Sequence, residues 1–334
     1  MFPSHIHPKD RVSICNPVTA SKVAESFICG DSIAAGDNKI VIEAFPGPGA
    51  LSRALLELPS SKIRKLIILE DNEHYLPYLR PLQEADPRVT VVPLSGFMWD
   101  TYFEIENMGL LEGVETVPWE GQQIHPHLHF ISHLPHSIHG EQLIAQLYRH
   151  IPEHSWLYKY GRIPMSVIMG EWIWQRQSSS SGAASRCKVS VITEATAESK
   201  TSLDPALLLP YDDHFFPRTP RGAQERRPEV RRAGQPLIAA NIIPYADQVI
   251  GKGMLDKWDY CLRRLFVQKS TPLKRAISSL APGAQVLLKT LTDTNLPKEQ
   301  RVDVMKKVRA LTVADWALVM RAFDNWPFAP EACF

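Results

Sequence analysis

Residues 39–50 read KIVIEAFPGPGA, and residues 65–71 further along the chain read KLIILED. The first apolar run ends in an acid and a Pro-Gly-Pro-Gly turn, after which a helical pattern begins at Leu51; the second run ends at Glu70. Glycines let the backbone approach a nucleoside closely, and an acid at the end of the next strand can bind two ribose hydroxyls. This order of elements predicts a nucleoside-binding α/β domain whose ligand is S-adenosylmethionine or a dinucleotide.

Further alternation of apolar runs and helical patterns extends this domain and predicts a doubly wound, mostly parallel sheet with its ligand site at the carboxyl ends of the strands. The predicted strands are Lys39–Phe45, Lys65–Glu70, Val89–Leu94, His127–Leu134 and Pro164–Gln175, the last with an extension. Alternating apolar residues predict a further strand at Cys187–Ala195 in a terminal antiparallel hairpin.

The last third of the chain has a helical pattern. Apolar residues from Trp258 to Phe266 recur at a spacing of three and four, which indicates one buried helix face. Further helices are predicted at Leu273–Leu280, Lys298–Leu311 and Val313–Phe323. We therefore expect an α/β domain at residues 1–236, ending in an irregular basic loop at 216–236, and a small helical domain at 237–334.

The glycine turn favours S-adenosylmethionine, because Gly47-Pro48-Gly49-Ala50-Leu51-Ser52 lacks the third glycine of a dinucleotide fingerprint. The stretch EAFPGPGALSRALL at residues 43–56 resembles the first motif of the ribosomal RNA adenine dimethyltransferase family, and WDYCLRRLFVQKSTPLKRAISS at 258–279 resembles its C-terminal helical domain. The resemblance covers most of residues 16–330 in patches. Within the family, WDTY at 99–102 and the segments LT at 311–312 and FDNWPF at 323–328 resemble the fungal mitochondrial transcription factor B branch.

The resemblance implies a Rossmann-like methyltransferase fold with S-adenosylmethionine as its cofactor. It places the donor pocket at Glu43, Pro46, Gly47, Gly49, Glu70 and Ser95. Three features depart from the family: Phe45 replaces the first glycine of the motif, Ser95 stands where an acid commonly contacts the adenine amine, and Arg11-Val12-Ser13 replaces Gln-Asn-Phe. A functional pocket and a vestigial one both remain open at this point.

The catalytic motif departs from the family as well. Where the family has Asn-Leu-Pro-Tyr after the fourth strand, this chain has His133-Leu134-Pro135-His136. A histidine can accept one hydrogen bond and can stack on a base, but it does not reproduce the amide oxygen of asparagine. We therefore assign no catalytic residue to this degenerate motif.

Charge is distributed unevenly along the chain. The net charge is +1, yet residues 40–130 hold 13 acids and 6 Lys or Arg, whereas residues 215–275 hold 13 Lys or Arg and 5 acids. Such an excess of positive charge predicts contact with a polyanion. The candidate nucleic-acid-binding residues are Arg226, Arg227, Arg231, Arg232, Arg263, Arg264, Lys269, Lys274 and Arg275.

Other classes of protein are disfavoured. No apolar run approaches the roughly 20 residues of a membrane helix, and five scattered cysteines indicate reduced thiols. The histidines between 125 and 139 lack a Cys or carboxylate at a recognised ligand spacing, so we expect no metal. The N-terminus shows neither a secretory core nor a clear cleavable mitochondrial presequence, and the mitochondrial matrix is implied by the resemblance alone.

The leading hypothesis is a mitochondrial transcription initiation factor. The resemblance implies that it acts as a monomer with the mitochondrial RNA polymerase and binds promoter DNA or single-stranded nucleic acid. A fold that holds an extruded base is suited to trapping a separated strand. The alternative is an enzyme that uses S-adenosylmethionine to dimethylate adenines of small-subunit rRNA, and ribosome assembly without catalysis is a third hypothesis.

Overall fold

The computed structural model describes residues 11–30, 36–121, 123–219 and 233–330. The chain divides into two compact units. The first comprises residues 1–150, 154–174 and 198–246, and the second comprises 151–153, 175–197 and 247–334. The sequence placed the domain boundary between residues 236 and 237, whereas the first unit extends to Ala246 because it includes the strand that begins at Leu237.

The elements follow one another as strands and helices through most of the chain. In chain order they are β1 (Ser13–Ile14), α1 (Pro17–Ile28), β2 (Lys39–Ala44), α2 (Ala50–Glu57), β3 (Ile63–Leu69), α3 (Leu76–Ala85), β4 (Val89–Val92), α4 (Trp99–Asn107), β5 (Leu128–His133), α5 (Ile138–His150), β6 (Met165–Gly170), α6 (Glu171–Gln177), α7 (Lys188–Thr196), β7 (Ala197–Thr201), α8 (Tyr211–His214), β8 (Phe215–Phe216), β9 (Leu237–Pro244), α9 (Leu255–Phe266), α10 (Leu273–Ala276), α11 (Leu287–Leu291) and α12 (Val313–Asp324).

Seven of these strands form one sheet in the order β4-β3-β2-β5-β6-β9-β7. The pairs from β4 to β6 are parallel, and β9 runs antiparallel to β6. Every residue of β2, β5, β6 and β9 is buried, as expected for apolar strands covered on both faces. The predicted Rossmann-like, mostly parallel sheet is confirmed. Because β2 lies between β3 and β5, the strand order reverses there, and ligands of such sheets bind beyond the carboxyl ends of these strands.

The helix that precedes the sheet is well specified by its sequence. Asn16 caps α1 by accepting from the backbone N–H groups of Val18 and Thr19, at 3.0 and 3.3 Å, and Pro17 occupies the first helical position. Val23 and Phe27 are fully buried on the face that packs against the core. This anchoring matters for the site, because the residues just before Asn16 lie across the ends of the central strands.

The strand predicted at Cys187–Ala195 is wrong: this segment is helix α7. Its β-branched residues favour a strand intrinsically, but burial of its side chains and capping of its first turn stabilise the helix instead. Ser190 accepts the Cys187 backbone N–H at 3.0 Å, and the Cys187 side chain completes a capping box. Similarly, the extended strand predicted to reach Gln175 ends at Gly170, where α6 begins.

In the second unit the predicted face of α9 is confirmed, because Trp258, Cys261, Leu262 and Leu265 are buried. The helix predicted at Lys298–Leu311 is wrong. Only short 3-10 turns occur there, at Lys298–Gln300 and Val308–Ala310, because most backbone hydrogen bonds between them go to Leu291 and to residues 273–274. The helix predicted at Leu273–Leu280 is a single α-turn followed by a 3-10 turn.

Within the part of the chain that the structure describes, no helix is both long and apolar enough to cross a membrane.

Candidate functional site

The predicted donor site lies where three parallel strands of the first unit end. Glu43 is near the end of β2, Glu70 directly follows β3, and His133 ends β5. Gly47 and Gly49 form the turn after β2, with φ angles of +61° and +81° that favour glycine. The structure therefore brings the acids, the glycine turn and the histidine motif to one edge of the sheet, as the sequence predicts.

Glu70, the acid expected to bind a ribose, is already bound by the chain itself. Arg11 donates from both terminal nitrogens to the two carboxylate oxygens, at 3.2 and 2.5 Å. The backbone N–H groups of Gly47 and Asn72 donate to the same oxygens at 3.2 and 3.1 Å. The Glu70 side chain is 0% exposed and that of Arg11 only 9%. Burial raises the pKa of Glu70, and the charge and hydrogen bonds of Arg11 oppose that rise.

Aromatic rings hold the Arg11 guanidinium over this carboxylate. Its central carbon lies 5.0 Å from the ring centroid of Phe45 and 5.4 Å from that of Tyr75, within the range of cation–π attraction. Both rings are buried. Phe45 has a φ of +61°, an unusual value for a bulky residue. The backbone at Phe45 thus has a conformation that favours glycine, while a large side chain stands where the family has glycine.

The close approach that Gly47 permits is also used internally. A Cβ atom built on Gly47 would overlap the hydroxyl of Ser13, which lies directly against the turn. The segment that carries Arg11 and Ser13 is held in place because β1 pairs antiparallel with β8, with Ser13 opposite Phe216. The Cys15 backbone N–H donates to the His214 carbonyl at 2.9 Å, next to this pairing. Residues 11–15, which we call the N-terminal strap, therefore lie across the predicted nucleoside site.

S-adenosylmethionine does not fit the site in this arrangement. Its ribose would need the Glu70 oxygens that Arg11 occupies, and its approach to the turn would meet Ser13. The sequence flagged the replacement at residues 11–13 but missed that Arg11 pairs with Glu70. The signal that could have found it is an arginine in place of a neutral residue, next to a site that keeps its acid.

The other predicted cofactor residues are buried or engaged locally. Glu43 accepts from the Ser52 hydroxyl at 2.6 Å, and burial raises its pKa to about 7. The second oxygen of Glu43 has no hydrogen-bond partner among the described residues. Pro46 and Gly49 are buried. The Ser95 carbonyl accepts from the Thr101 hydroxyl at 2.8 Å, so Ser95 begins the turn that leads into α4.

The degenerate catalytic motif is closed to solvent. His133, Leu134, Pro135 and His136 are all buried. His133 has an edge-on contact with the Phe215 ring at 6.3 Å between centroids. Burial, with the nearby charges of Arg11 and His136, lowers the pKa of His133 to about 3, so this ring is neutral at physiological pH. The neutral ring can still accept one hydrogen bond, but its nitrogen does not take the position of the asparagine amide oxygen, and burial closes it to an incoming adenine amine.

Two other histidines of the 125–139 cluster, His125 and His129, have structural roles. His129 hydrogen-bonds through Nε2 to the Ser166 hydroxyl at 2.8 Å inside the sheet. Nδ1 of His125 accepts the backbone N–H of Leu128 at 2.8 Å, and its Nε2 then donates to the Glu115 carbonyl at 3.0 Å. Among the residues that the structure describes, no three His, Cys, Asp or Glu side chains are grouped so that they could hold a metal ion.

The predicted nucleic-acid-binding residues divide into two sets. Arg226, Arg227, Arg231 and Arg232 lie outside the described residues. In the second unit, Arg263, Arg264, Lys274 and Arg275 are exposed, and Lys269 is half-buried and donates to the Ala184 carbonyl at 2.8 Å. Tyr260 and Phe266, near these cations, stack on Phe323 and Trp316 within the same unit.

A seven-stranded sheet of this order, with a glycine turn after β2 and an acid after β3, defines the fold of S-adenosylmethionine-dependent methyltransferases. The family model described as ribosomal RNA adenine dimethylase matches residues 21–210, and the chain belongs to this family.

Similar proteins include both transcription factors and enzymes. The chain is 23% identical over 299 residues to mitochondrial transcription factor 1 of Lachancea kluyveri, covering 88% of this chain and 83% of that protein. It is 22% identical over 325 residues to a mitochondrial dimethyladenosine transferase 1 of Vermamoeba vermiformis, covering 88% and 84%. The crystal structure of a dimethyladenosine transferase from Plasmodium falciparum superimposes with a TM-score of 0.59 at 14% identity, over 94% of this chain and 98% of that one.

Proposed function

We propose that this chain is a mitochondrial transcription initiation factor that works with the mitochondrial RNA polymerase and does not transfer methyl groups. Relatives named mitochondrial transcription factor 1 align with nearly its whole length, which supports the class of protein and a place in the mitochondrion. The observation that favours a factor over an enzyme is the buried pair between Arg11 and Glu70.

Three groups of residues that a methyltransferase needs distinguish a transcription factor from an enzyme. Dimethylation requires a donor pocket, an acceptor for the adenine amine and an aromatic ring that stacks on the extruded base. In this chain the N-terminal strap occupies the donor pocket, and His133 and His136 replace the acceptor and the aromatic residue. Repairing one of these features alone would leave donor and amine unaligned, and transfer depends on their alignment.

The scaffold still suits nucleic acid. Exposed cations in the second unit favour contact with phosphates, and promoter melting requires a protein that binds the separated strand. We therefore propose promoter DNA and single-stranded nucleic acid as ligands, with the polymerase as the protein partner and a monomeric state.

The second candidate function is dimethylation of small-subunit rRNA with S-adenosylmethionine. It is favoured by the family itself and by the similar protein named dimethyladenosine transferase 1. This function would require the N-terminal strap to leave Glu70 before the donor could bind, because both carboxylate oxygens are occupied.

The experiment that tests the proposal is run-off transcription on a linear promoter template with the cognate mitochondrial polymerase, with and without this protein. We expect specific transcripts only when the protein is present, in equal amounts with and without a non-reactive donor analogue. In parallel, labelled donor and small-subunit rRNA should yield no methyl incorporation. Incorporation by the unmodified protein, without support of transcription, would favour the enzyme.

A further inference from the structure

Two segments of the second unit that are distant in sequence run side by side. The backbone N–H of Leu273 donates to the Lys306 carbonyl at 2.9 Å, and that of Lys274 donates to the Val304 carbonyl at 2.8 Å. Farther along, the N–H of Arg309 donates to the Lys269 carbonyl at 3.0 Å. An antiparallel bridge between Pro272 and Lys307 lies between these contacts. We call residues 269–275 and 304–309 the paired basic segments.

This pairing brings together positive charges from two segments that are distant in the sequence. Together the two segments carry six cations and no Asp or Glu: Lys269, Lys274, Arg275, Lys306, Lys307 and Arg309. Sequence reasoning found the first three and missed the others, because the second segment was expected to be a helix that turns its charges around an axis.

Half of these cations are engaged within the protein. Lys306 pairs with Asp315 at 2.8 Å, Lys269 donates to a carbonyl, and Arg309 donates to the Ser270 hydroxyl at 3.3 Å. Lys274, Arg275 and Lys307 are exposed, and among the described residues none of their side chains has a hydrogen-bond or ion-pair partner. Three cations therefore face solvent from adjacent backbone positions.

The backbone that carries these three exposed cations is held in place by buried neighbouring residues. Leu273, Ala276 and Val308 are all 0% exposed, so each exposed cation is next in the chain to a residue fixed in the core of this unit. Fixed positions matter because a loop with the same charges would lose more conformational entropy on binding. The pairing thus presents Lys274, Arg275 and Lys307 as a pre-organised group.

We propose that the paired basic segments bind the sugar-phosphate backbone of nucleic acid. This inference rests on the proposed function and adds to it a surface in the second unit. Lysine and arginine bind phosphate as charge and as hydrogen-bond donors, and each neutralised phosphate releases counterions. The nearby aromatic residues Tyr260 and Phe266 are stacked inside the unit, which favours phosphate contact over base stacking. The contact is consequently tolerant of sequence.

The test is the salt dependence of binding to a labelled promoter duplex and to its single strands, measured by fluorescence anisotropy with the full chain. The variant is Lys274→Ala with Arg275→Ala and Lys307→Ala. If all three contact phosphates, the slope of log affinity against log salt should flatten by about 2.7 on duplex and about 2 on single strands. Flattening on one form with an unchanged slope on the other identifies which of the two the surface binds.

The matched control removes three exposed cations of the same unit that lie outside the paired basic segments: Lys252, Lys289 and Lys298. Both triple variants change the net charge equally, and thermal melting checks that both are folded. We expect the control to keep the parent slope. Equal flattening in both variants would mean a net-charge effect, and an unchanged slope in the first would mean that these cations do not bind phosphate; either result overturns the inference.

Run-off transcription separates this inference from the proposed function. Suppose that the parent supports initiation, and that the Lys274→Ala, Arg275→Ala, Lys307→Ala variant has the same salt-dependence slope as the parent. The assignment of the surface then fails and the proposed function stands. Loss of polymerase binding with an unchanged DNA slope would assign the surface to an acidic protein and overturn the inference. If the parent supports no initiation, the proposed function fails whatever the slopes.

Discussion

At the predicted nucleoside site Arg11 and Glu70 pair inside the protein, whereas along the paired basic segments three cations face solvent. Glu70 receives four hydrogen-bond donors from its own chain and is completely buried. Lys274, Arg275 and Lys307 are exposed instead. A buried charge must be paired to be tolerated, while an exposed cation is available to an outside anion. The contrast agrees with our proposals that the N-terminal strap closes the predicted donor site and that the paired basic segments bind a polyanion.

The largest expected effect comes from breaking the internal pair with Arg11→Ala. This change leaves the Glu70 carboxylate buried without its cation, which typically costs about 3–5 kcal/mol of unfolding free energy. Urea unfolding monitored by circular dichroism measures the loss.

Arg53→Ala is the matched control, because Arg53 donates two hydrogen bonds to carbonyls but is exposed. It should cost about 0.5 kcal/mol. Adding Glu70→Gln to Arg11→Ala should recover part of the loss, since the uncompensated charge disappears. An Arg11→Ala protein as stable as the control would show that the N-terminal strap does not close the site.

A second effect concerns Glu43, the acid at this site that lacks a cation. Burial raises its pKa to about 7 from an ordinary value near 4.5, so the unfolded state binds fewer protons between these pH values. Stability should therefore fall as the pH rises from about 4.5 to 7 and level off above that, by about 3 kcal/mol for this group.

Glu43→Gln tests that sign, because glutamine can still accept from Ser52 but does not ionise. Relative to the parent, the variant should gain stability between pH 5 and pH 8, measured by urea unfolding in the same buffers. A constant difference across this range would mean that Glu43 is ionised throughout and has a partner for its charge.

Whether a feature of the fold or of the candidate site could be predicted from the sequence depends on how far apart along the chain its contacting residues lie. The run from β2 through the glycine turn and α2 to Glu70 was read correctly, because each step is a local pattern. The pair between Arg11 and Glu70 spans 59 residues and depends on burial, which no local pattern encodes. The helix α7 was mistaken for a strand because a Cys187–Ser190 capping box outweighed β-branched propensity. Residues 304–309 were mistaken for a helix because their hydrogen bonds go to 269–275.

A third, smaller effect concerns the strain at Phe45. Truncating a buried phenylalanine costs about 3–5 kcal/mol, whereas relieving a left-handed backbone conformation returns about 1–3 kcal/mol. Phe45→Gly should therefore cost about 2 kcal/mol. Phe27→Ala, at a fully buried helical position without such strain, should cost the full 3–5 kcal/mol. Equal losses in urea unfolding would mean that the φ of +61° is not strained.

For the last change, in the His133–His136 motif, we expect no effect on methylation. His133→Asn with His136→Tyr restores the family's residues, yet it should not produce methylation of small-subunit rRNA. Arg11 would still occupy the Glu70 oxygens and Phe45 would still fill the space beside the turn, so the donor could not align with an adenine amine.

The measurement is methyl incorporation from a labelled donor by the parent and the double variant. Incorporation by the variant alone would show that the donor pocket opens in solution, and the N-terminal strap would then be a movable lid instead of a fixed occupant. Adding Arg11→Ala and Phe45→Gly to the double variant provides the reciprocal control, since only this combination clears the donor site and repairs the motif together.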